Sequence, residues 1–419
     1  MYWKANVSTG CEPALEIRDR GLGTGKPGTL NFELFSKGDR MKKLIAVMVG
    51  CVTMMHAGLA LAAGTVRIGA LFSVTGPASF LGEPEKNTLE MLVKEINGKG
   101  GIKGTKIELV VYDTQGDSTK AKQLVNKLIK NDKVVAIVGP STTGDTMAII
   151  EDVEKAGIPL VSCAAGIKIT EPVKKWVFKT PANDHVAAEK IFNYMAAKKQ
   201  KNIALLTVSD AFGSSGREQL KTLAKQKGFA IVADEVYGPK DTDMTPQLTK
   251  IKGAKPDAII CWGTNPGPAV VTRNVKQLGI KIPLYQSHGV ASKKYIELAG
   301  ADNAEGVLLP AGKLAIYDKL KHSDPQQKVL REYDNAYRKA YNVEASTFGG
   351  YAYDAFLMIT EAIRKGATTP EQIRASIEQG KKLVGISGVF NMSHTDHNGL
   401  DLSAFEMVRI TKGDWELAK

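Results

Sequence analysis

Val134-Val135-Ala136-Ile137-Val138-Gly139-Pro140-Ser141-Thr142-Thr143-Gly144-Asp145-Thr146 is the stretch on which the reading of this chain turns. Five apolar, mostly β-branched residues predict a short buried strand, and Gly139-Pro140 ends it. Three hydroxyl residues follow, then a helical stretch near 144–156 that Gly157 closes. A strand that is apolar at every position is covered on both faces, which suits a parallel sheet between layers of helices.

Working outward, the same unit recurs. Val66 to Leu71, Ile107 to Tyr112 and Pro159 to Ser162 read as strands, with helical stretches near 83–97 and 118–131, the latter expected to close at Asn131. The pattern then restarts. Ile203 to Val208, Ala230 to Ala233, Ala258 to Trp262 and Pro283 to Gln286 are strand-like, separated by helical stretches near 215–227, 244–252, 268–278 and 291–299. Beyond Pro310 lie helical stretches at 324–341, 348–365 and 370–379. The chain finishes with antiparallel-looking strands at Gly388 to Phe390 and Phe405 to Ile410, with a Lys412-Gly413-Asp414 turn before Trp415. Strand-helix alternation of this kind predicts an α/β fold of two doubly wound, Rossmann-like lobes.

Composition narrows the function. With 419 residues, 43% of them hydrophobic, the chain has enough apolar material for sizeable cores and is neither disordered nor collagen-like. Four cysteines cannot staple a scaffold of this size. The net charge of +12 comes from 56 basic and 44 acidic residues interspersed along helical stretches, so no basic face for nucleic acid is expected.

Met41-Lys42-Lys43 followed by an apolar run to Ala60-Leu61-Ala62 reads as a secretory signal peptide over 41–62. Gly50, His56 and Gly58 interrupt the run, which argues against a retained membrane span. Val49-Gly50-Cys51 resembles the end of a lipobox, but the apolar run continues past Cys51, so lipid anchoring there is not expected. A secretion signal is read at the amino terminus, so Met41 is the expected start and 1–40 a non-native or mis-called extension. Its Gly23-x-Gly25-x-x-Gly28 lacks the strand and helix that a dinucleotide site needs.

Catalytic chemistry finds no constellation. Gly139 to Thr146 has the spacing of a phosphate loop, yet Asp145 stands where that loop requires Lys. Cys163 and Cys261 lie on strand ends in different units and read as apolar fillers or lone thiols. His394-x-Asp396-His397 precedes an Asn398-Gly399 turn, where polar residues are expected without a metal. An exported two-lobed α/β protein without catalytic groups most simply binds a solute between its lobes, at the carboxyl ends of strands. At Gly139 to Thr143, three free N–H groups and the hydroxyls of Ser141, Thr142 and Thr143 would hold a carboxylate at a helix N-terminus; an ordinary Ser/Thr helix cap explains the same spacing.

The exported chain resembles the type I periplasmic solute-binding proteins of the leucine/isoleucine/valine-binding family, receptors of ABC importers. Ile68-Gly69-Ala70-Leu71-Phe72-Ser73-Val74-Thr75-Gly76-Pro77, Ile96-Asn97-Gly98-Lys99-Gly100-Gly101-Ile102-Lys103-Gly104, Tyr112-Asp113-Thr114-Gln115, Val138-Gly139-Pro140-Ser141, Gly157-Ile158-Pro159-Leu160-Val161-Ser162 and Tyr237 with Asp243-Met244-Thr245 carry the likeness across residues 64–419. The resemblance implies a type I periplasmic binding fold whose lobes are joined by a three-strand hinge, with crossings near 182–184, 310–314 and 384–388. Lobe 1 would be 64–183 plus 312–386 and lobe 2 184–311 plus 387–419. It further implies a periplasmic, monomeric receptor with no cofactor, a small-molecule carboxylate ligand and an ABC permease as partner.

Carried over residue by residue, the family's carboxylate site falls on Ser141, Thr142 and Thr143. A second loop falls on Ala164, Ala165 and Gly166, with Gly166 replacing a usual Thr. The apolar wall of lobe 1 falls on Phe80 or Leu81 and on Tyr351. In lobe 2, Phe212 replaces a Tyr, and another Tyr position falls near Thr264 or Asn265. Amino-acid receptors of the family place an acidic residue where this chain has His288, to pair with the ligand's ammonium. A His supplies no negative charge, so the expected ligand is a hydrophobic or aromatic carboxylate, with His288 donating to a phenolic oxygen or a second carboxylate; a solvated His on a loop is the alternative for the residue. Branched-chain amino acid uptake is the competing reading for the protein. A regulator's sensory domain and an enzyme on the same scaffold are further readings, but the DNA-binding helix pair or signalling domain of the first, and any catalytic constellation for the second, are not seen.

Overall fold

A computed structural model describes residues 64–419. The expected signal peptide, the 1–40 segment, Cys51 and the Gly23 to Gly28 motif lie outside the described residues. Strands β1 (Thr65–Phe72), β2 (Lys106–Asp113), β3 (Ala136–Val138), β4 (Leu160–Ser162) and β5 (Val177–Lys179) form an all-parallel sheet in the order β2-β1-β3-β4-β5. Helices α1 (Ser79–Gly98), α2 (Ser118–Lys127) and α3 (Thr143–Ala156) connect them.

The period-2 geometry of strands explains why these runs are apolar throughout. Ile68, Ala70 and Phe72 of β1, with Ala136 and Val138 of β3, feed a core on one face of the sheet. Leu71 and Ile137 feed a separate core on the other face, with Val125 of α2 and Val153 of α3. Gly157 ends α3 in the left-handed region at φ 66°, as expected. The segment after α2 instead runs on through Asp132 and closes at Lys133, φ 53°; Asn131 lies within its last turn.

The second sheet, in the order β14-β13-β10-β9-β8-β6-β7, contains β6 (Asn202–Val208), β7 (Ala230–Tyr237), β8 (Ala258–Trp262), β9 (Leu284–Gln286) and β10 (Leu308–Gly312). Two later strands, β13 (Phe405–Thr411) and β14 (Asp414–Leu417), join it antiparallel. Its connecting helices are α4 (Asp184–Ala197), α5 (Ala211–Lys227), α6 (Thr245–Gly253), α7 (Gly267–Gln277), α8 (Lys293–Ala299) and α9 (Ala301–Ala304). Again the faces divide: Ala204, Leu206, Ile259 and Cys261 enter one core, and Ile203, Leu205, Ile260 and Trp262 the other.

After β10 the chain returns to the first sheet, where α11 (Thr347–Arg364) places Ala352, Ala355 and Ile359 against β1 and β3. The preceding helix, α10 (Gln327–Tyr341), and the following α12 (Pro370–Glu378), flank it. A small antiparallel pair, β11 (Leu383–Val384) with β12 (Val389–Phe390), precedes the return to β13. The two sheets are the frames of two α/β lobes.

Candidate functional site

A cleft of about 700 Å³ lies between the lobes, at the carboxyl ends of β3, β4, β6 and β8. The lobes meet at one rim, where the Ile167 N–H donates to Ser215 Oγ at 3.3 Å and Lys168 pairs with Glu218 at 2.6 Å. Leu81, Ser141, Thr142, Thr143, Ala164, Ala165, Phe212, Thr264, Asn265, His288 and Tyr351 all line this cleft. Phe80 and Gly166 do not. Phe80 stands one residue away on α1 and turns toward a different interlobe groove, its ring 5.5 Å edge-on to Phe348. Gly166 sits behind Thr143, where a Cβ would come within 2.4 Å of the Thr143 methyl, so its role is to let that threonine fit.

The lobe 1 wall is built by the turn from β3 into α3. Gly139 adopts φ 92° and its Cα faces the Leu71 carbonyl so closely that a Cβ would lie 2.2 Å away, which brings the turn against β1. Thr142 caps the helix by accepting the Asp145 N–H at 3.1 Å. Of the first-turn N–H groups, those of Thr143 and Gly144 remain free at the cleft, with the positive end of the helix dipole. Thr143 Oγ1 accepts the Gly166 N–H at 3.3 Å and keeps its own hydrogen to donate. The Ser141 hydroxyl accepts the Ser73 N–H at 3.0 Å and contacts the buried Glu85 carboxyl. Asp145 also faces the cleft; burial raises its pKa against the opposing hydrogen bonds from Thr114, Ser118 and Thr142.

The lobe 2 wall carries Asp210 and Lys240, and around His288 it is aromatic. His288 is 2% exposed and sits among Phe212, Trp262 and Phe405, with ring centroids 5.5, 5.5 and 5.3 Å away. The solvated-loop alternative for it is therefore wrong: residues 288–290 form a buried turn behind β9. Burial, reinforced by the nearby Lys179 charge, pushes the imidazole pKa down to about 3, so the ring is neutral. Neither of its nitrogens has a hydrogen-bond partner, and the same holds for both amide atoms of Asn265 and for Tyr237 Oη, whose polar neighbour is the weakly bonding Cys261 thiol. Tyr237, Asn265 and His288 all line the cleft. Buried polar groups are nearly always satisfied, so three such side chains together mark where a bound molecule supplies the missing partners.

The larger groove that receives Phe80, about 1070 Å³, is lined by charged and rim residues such as Glu83, Lys293, Asp318 and Arg338. Among the described residues, its one buried side chain without a partner is Ser292, against Tyr237, Asn265 and His288 in the cleft, which is therefore the candidate site.

A family model described as periplasmic binding protein matches residues 65–414. The chain belongs to this family. Among relatives of this periplasmic binding protein, a leucine-, isoleucine-, valine-, threonine- and alanine-binding protein of Pseudomonas aeruginosa is 26% identical over 341 residues, 81% of this chain and 88% of the relative. An extracellular ligand-binding receptor from Rhodopseudomonas palustris HaA2 superposes with a TM-score of 0.79 at 30% identity, covering 84% of this chain and 99% of that one. The branched-chain amino acid transporter substrate-binding protein of Streptococcus pneumoniae, solved with isoleucine, gives 0.75 at 28% identity, covering 85% and 99%. These relatives are binding receptors, and this chain is a solute-binding receptor rather than an enzyme.

Several residues of the receptor's site were not among the expected ones. Tyr237 carried part of the family likeness without being read as a wall residue; its burial under Gly263 and Gly267, where a Cβ would strike its ring or hydroxyl, depends on the folded lobe. Lys179 is fully buried at the end of β5 and donates to the Ala165 carbonyl at 2.7 Å, fixing the second loop of the cleft. Burial drives its pKa down to about 7, with Asp184 as the nearby opposite charge.

Proposed function

We propose that this receptor captures a small carboxylate with a hydrophobic or aromatic body and an uncharged polar group at its far end. The carboxylate would bind at Ser141 to Gly144, to the N–H groups of Thr143 and Gly144 and the hydroxyls of Thr143 and Ser141. The apolar body would lie between Leu81 and Tyr351 on one side and Phe212 on the other. The carrying observation is His288, buried, neutral and without a partner, beside Asn265 and Tyr237 in the same state. A phenolic hydroxyl can donate to one ring nitrogen and accept from Asn265 or Tyr237.

The lobes would run over 64–183 plus 312–386 and 184–311 plus 387–419, with crossings near 182–184, 310–314 and 384–388. Ligand bridging them would shift the protein toward the closed form by no more than its differential affinity for that form. The receptor would be exported by the 41–62 signal, act as a monomer and deliver its ligand to an ABC permease. Among the described residues no helix is long and apolar enough to cross a membrane.

The second reading, a branched-chain amino acid, is favoured by the names of the relatives. Calorimetric titration with leucine, valine, benzoate and 4-hydroxybenzoate separates the two. The first reading expects 4-hydroxybenzoate to bind most tightly; tight leucine binding with no response to either benzoate would refute it.

A further inference from the structure

Glu85, on α1, is 1% exposed and has no basic side chain paired with it among the described residues. Helix α1 comes this close to the sheet because of Gly82, whose Cβ would lie 2.4 Å from the Ser73 backbone. One turn on, Glu85 Oε2 touches Ser141 Oγ, and Oε1 has no partner. The ionisable groups near it are Cys163 and Tyr351, both buried and neither cationic.

Hydrogen counting decides what this contact does. Ser141 Oγ has one hydrogen and two lone pairs, and the Ser73 N–H occupies one lone pair. If Glu85 were ionised, the serine hydrogen would be drawn to it, Oε1 would be a bare charged oxygen in an apolar interior, and Ser141 would present only a lone pair, which repels a carboxylate, to the cleft it lines. If Glu85 holds its proton, Oε2–H fills the second lone pair and the serine hydrogen is released toward the cleft.

We propose that Glu85 is a positioning residue that keeps its proton and donates it to Ser141 Oγ, turning the serine hydroxyl into a donor for the ligand's carboxylate. Burial pushes the Glu85 pKa well above its usual range, in the direction this arrangement requires. The inference rests on the reading that the ligand's carboxylate binds at Ser141 to Gly144. It adds a consequence: carboxylate affinity falls as pH rises through the Glu85 pKa, because ionisation withdraws the serine donor.

Two measurements test it. Infrared difference spectra of wild-type protein against Glu85→Gln at neutral pH, without ligand, are expected to show a protonated carboxyl band lost in the variant. A lost carboxylate band instead overturns the proposal. Calorimetry then uses 4-hydroxybenzoate and leucine, which both carry a carboxylate, on variants confirmed as folded by circular dichroism. Glu85→Gln, whose amide N–H still donates to Ser141, is expected to stay within about threefold of wild type, while Glu85→Leu and Ser141→Ala each lose about tenfold and the double variant loses no more than either. Equal losses in Glu85→Gln and Glu85→Leu, or additive losses in the double variant, refute the coupling. If wild-type protein binds neither probe, the ligand reading fails, and the infrared band alone decides the protonation of Glu85.

Discussion

The neutral His288 has a consequence for stability that can be measured without knowing the ligand. Its folded pKa is about 3, against an ordinary 6.5, because the ring is enclosed by Phe212, Trp262 and Phe405 with no acceptor for a proton's charge. The unfolded chain therefore takes up this proton more readily. The stability His288 allows is fully present above pH 6.5 and is lost as pH falls from 6.5 toward 3, by about 1.4 kcal/mol per pH unit where only the unfolded state is protonated. Between pH 6.5 and 4.5 the loss works out at about 2 kcal/mol, and that figure hardly changes so long as the folded pKa lies below about 4. His288→Phe places an aromatic ring of similar size in the same surroundings and removes the titration. Urea unfolding of both proteins at pH 6.5 and 4.5 isolates the effect, since every other titrating group is common to them. The wild type should lose about 2 kcal/mol more than the variant over this interval. Parallel losses, equal within about 0.5 kcal/mol, would mean that His288 is protonated in the folded state and would remove the argument for a neutral His288 in the lobe 2 wall.

Other expectations follow from the same packing. Gly166→Ala forces its Cβ to within 2.4 Å of the Thr143 methyl and should lower carboxylate affinity about tenfold, read by calorimetry, with the fold retained by circular dichroism. Asp354 is fully buried and accepts the Ile386 and Ser387 N–H groups at 2.6 and 2.7 Å, so Asp354→Asn, which turns a donor toward one of them, should cost about 2–4 kcal/mol in urea unfolding. Cys163 and Cys261 are buried and their thiol pKa values are raised by burial, Cys261 to about 12, so peptide mapping should find both unlabelled by a thiol reagent in native protein and labelled in denaturant. Asp145→Asn should abolish binding of a ligand whose ammonium pairs with that carboxylate, and should leave or improve the binding of 4-hydroxybenzoate by removing a like charge from the helix end; calorimetry with leucine and 4-hydroxybenzoate reads the difference.

Much of the architecture was legible because buried parallel strands write themselves as continuous apolar runs, as in Ala136-Ile137-Val138, and because Gly157 is a helix stop that only local conformation decides. The strands that were missed break that rule for identifiable reasons. β5 ends in Lys179, whose ammonium is buried yet bonded to the Ala165 carbonyl, so the charge reads as a surface feature. β10 contains Pro310, tolerable there because its pairing with β9 stops at Leu308, leaving no partner that needs the missing N–H. In the site, residue types at strand ends were informative, but side-chain direction was not. Phe80 and Leu81 are adjacent on one helix and face different cavities. Glu85 reads as one more acid on an amphipathic helix until the fold brings Ser141 against it.

The two halves of the cleft make opposite demands on a ligand. Lobe 1 offers two N–H groups and hydroxyl donors at a helix end, a site for one negative charge. Lobe 2 offers, at Tyr237, Asn265 and His288, neutral groups that can each give or take a hydrogen bond. The carboxylates that do face the cleft are already committed: Asp117 accepts the Lys120 N–H, Asp210 the Gly213 N–H at 2.7 Å, and Asp145 the Thr114 and Ser118 hydroxyls. An α-ammonium brought into this space would have to share a carboxylate with those donors, since an isolated buried ammonium costs several kcal/mol. A ligand with one charge at one end and an uncharged hydrogen-bonding group at the other satisfies both walls at once, and it does so without asking any helix cap to be given up.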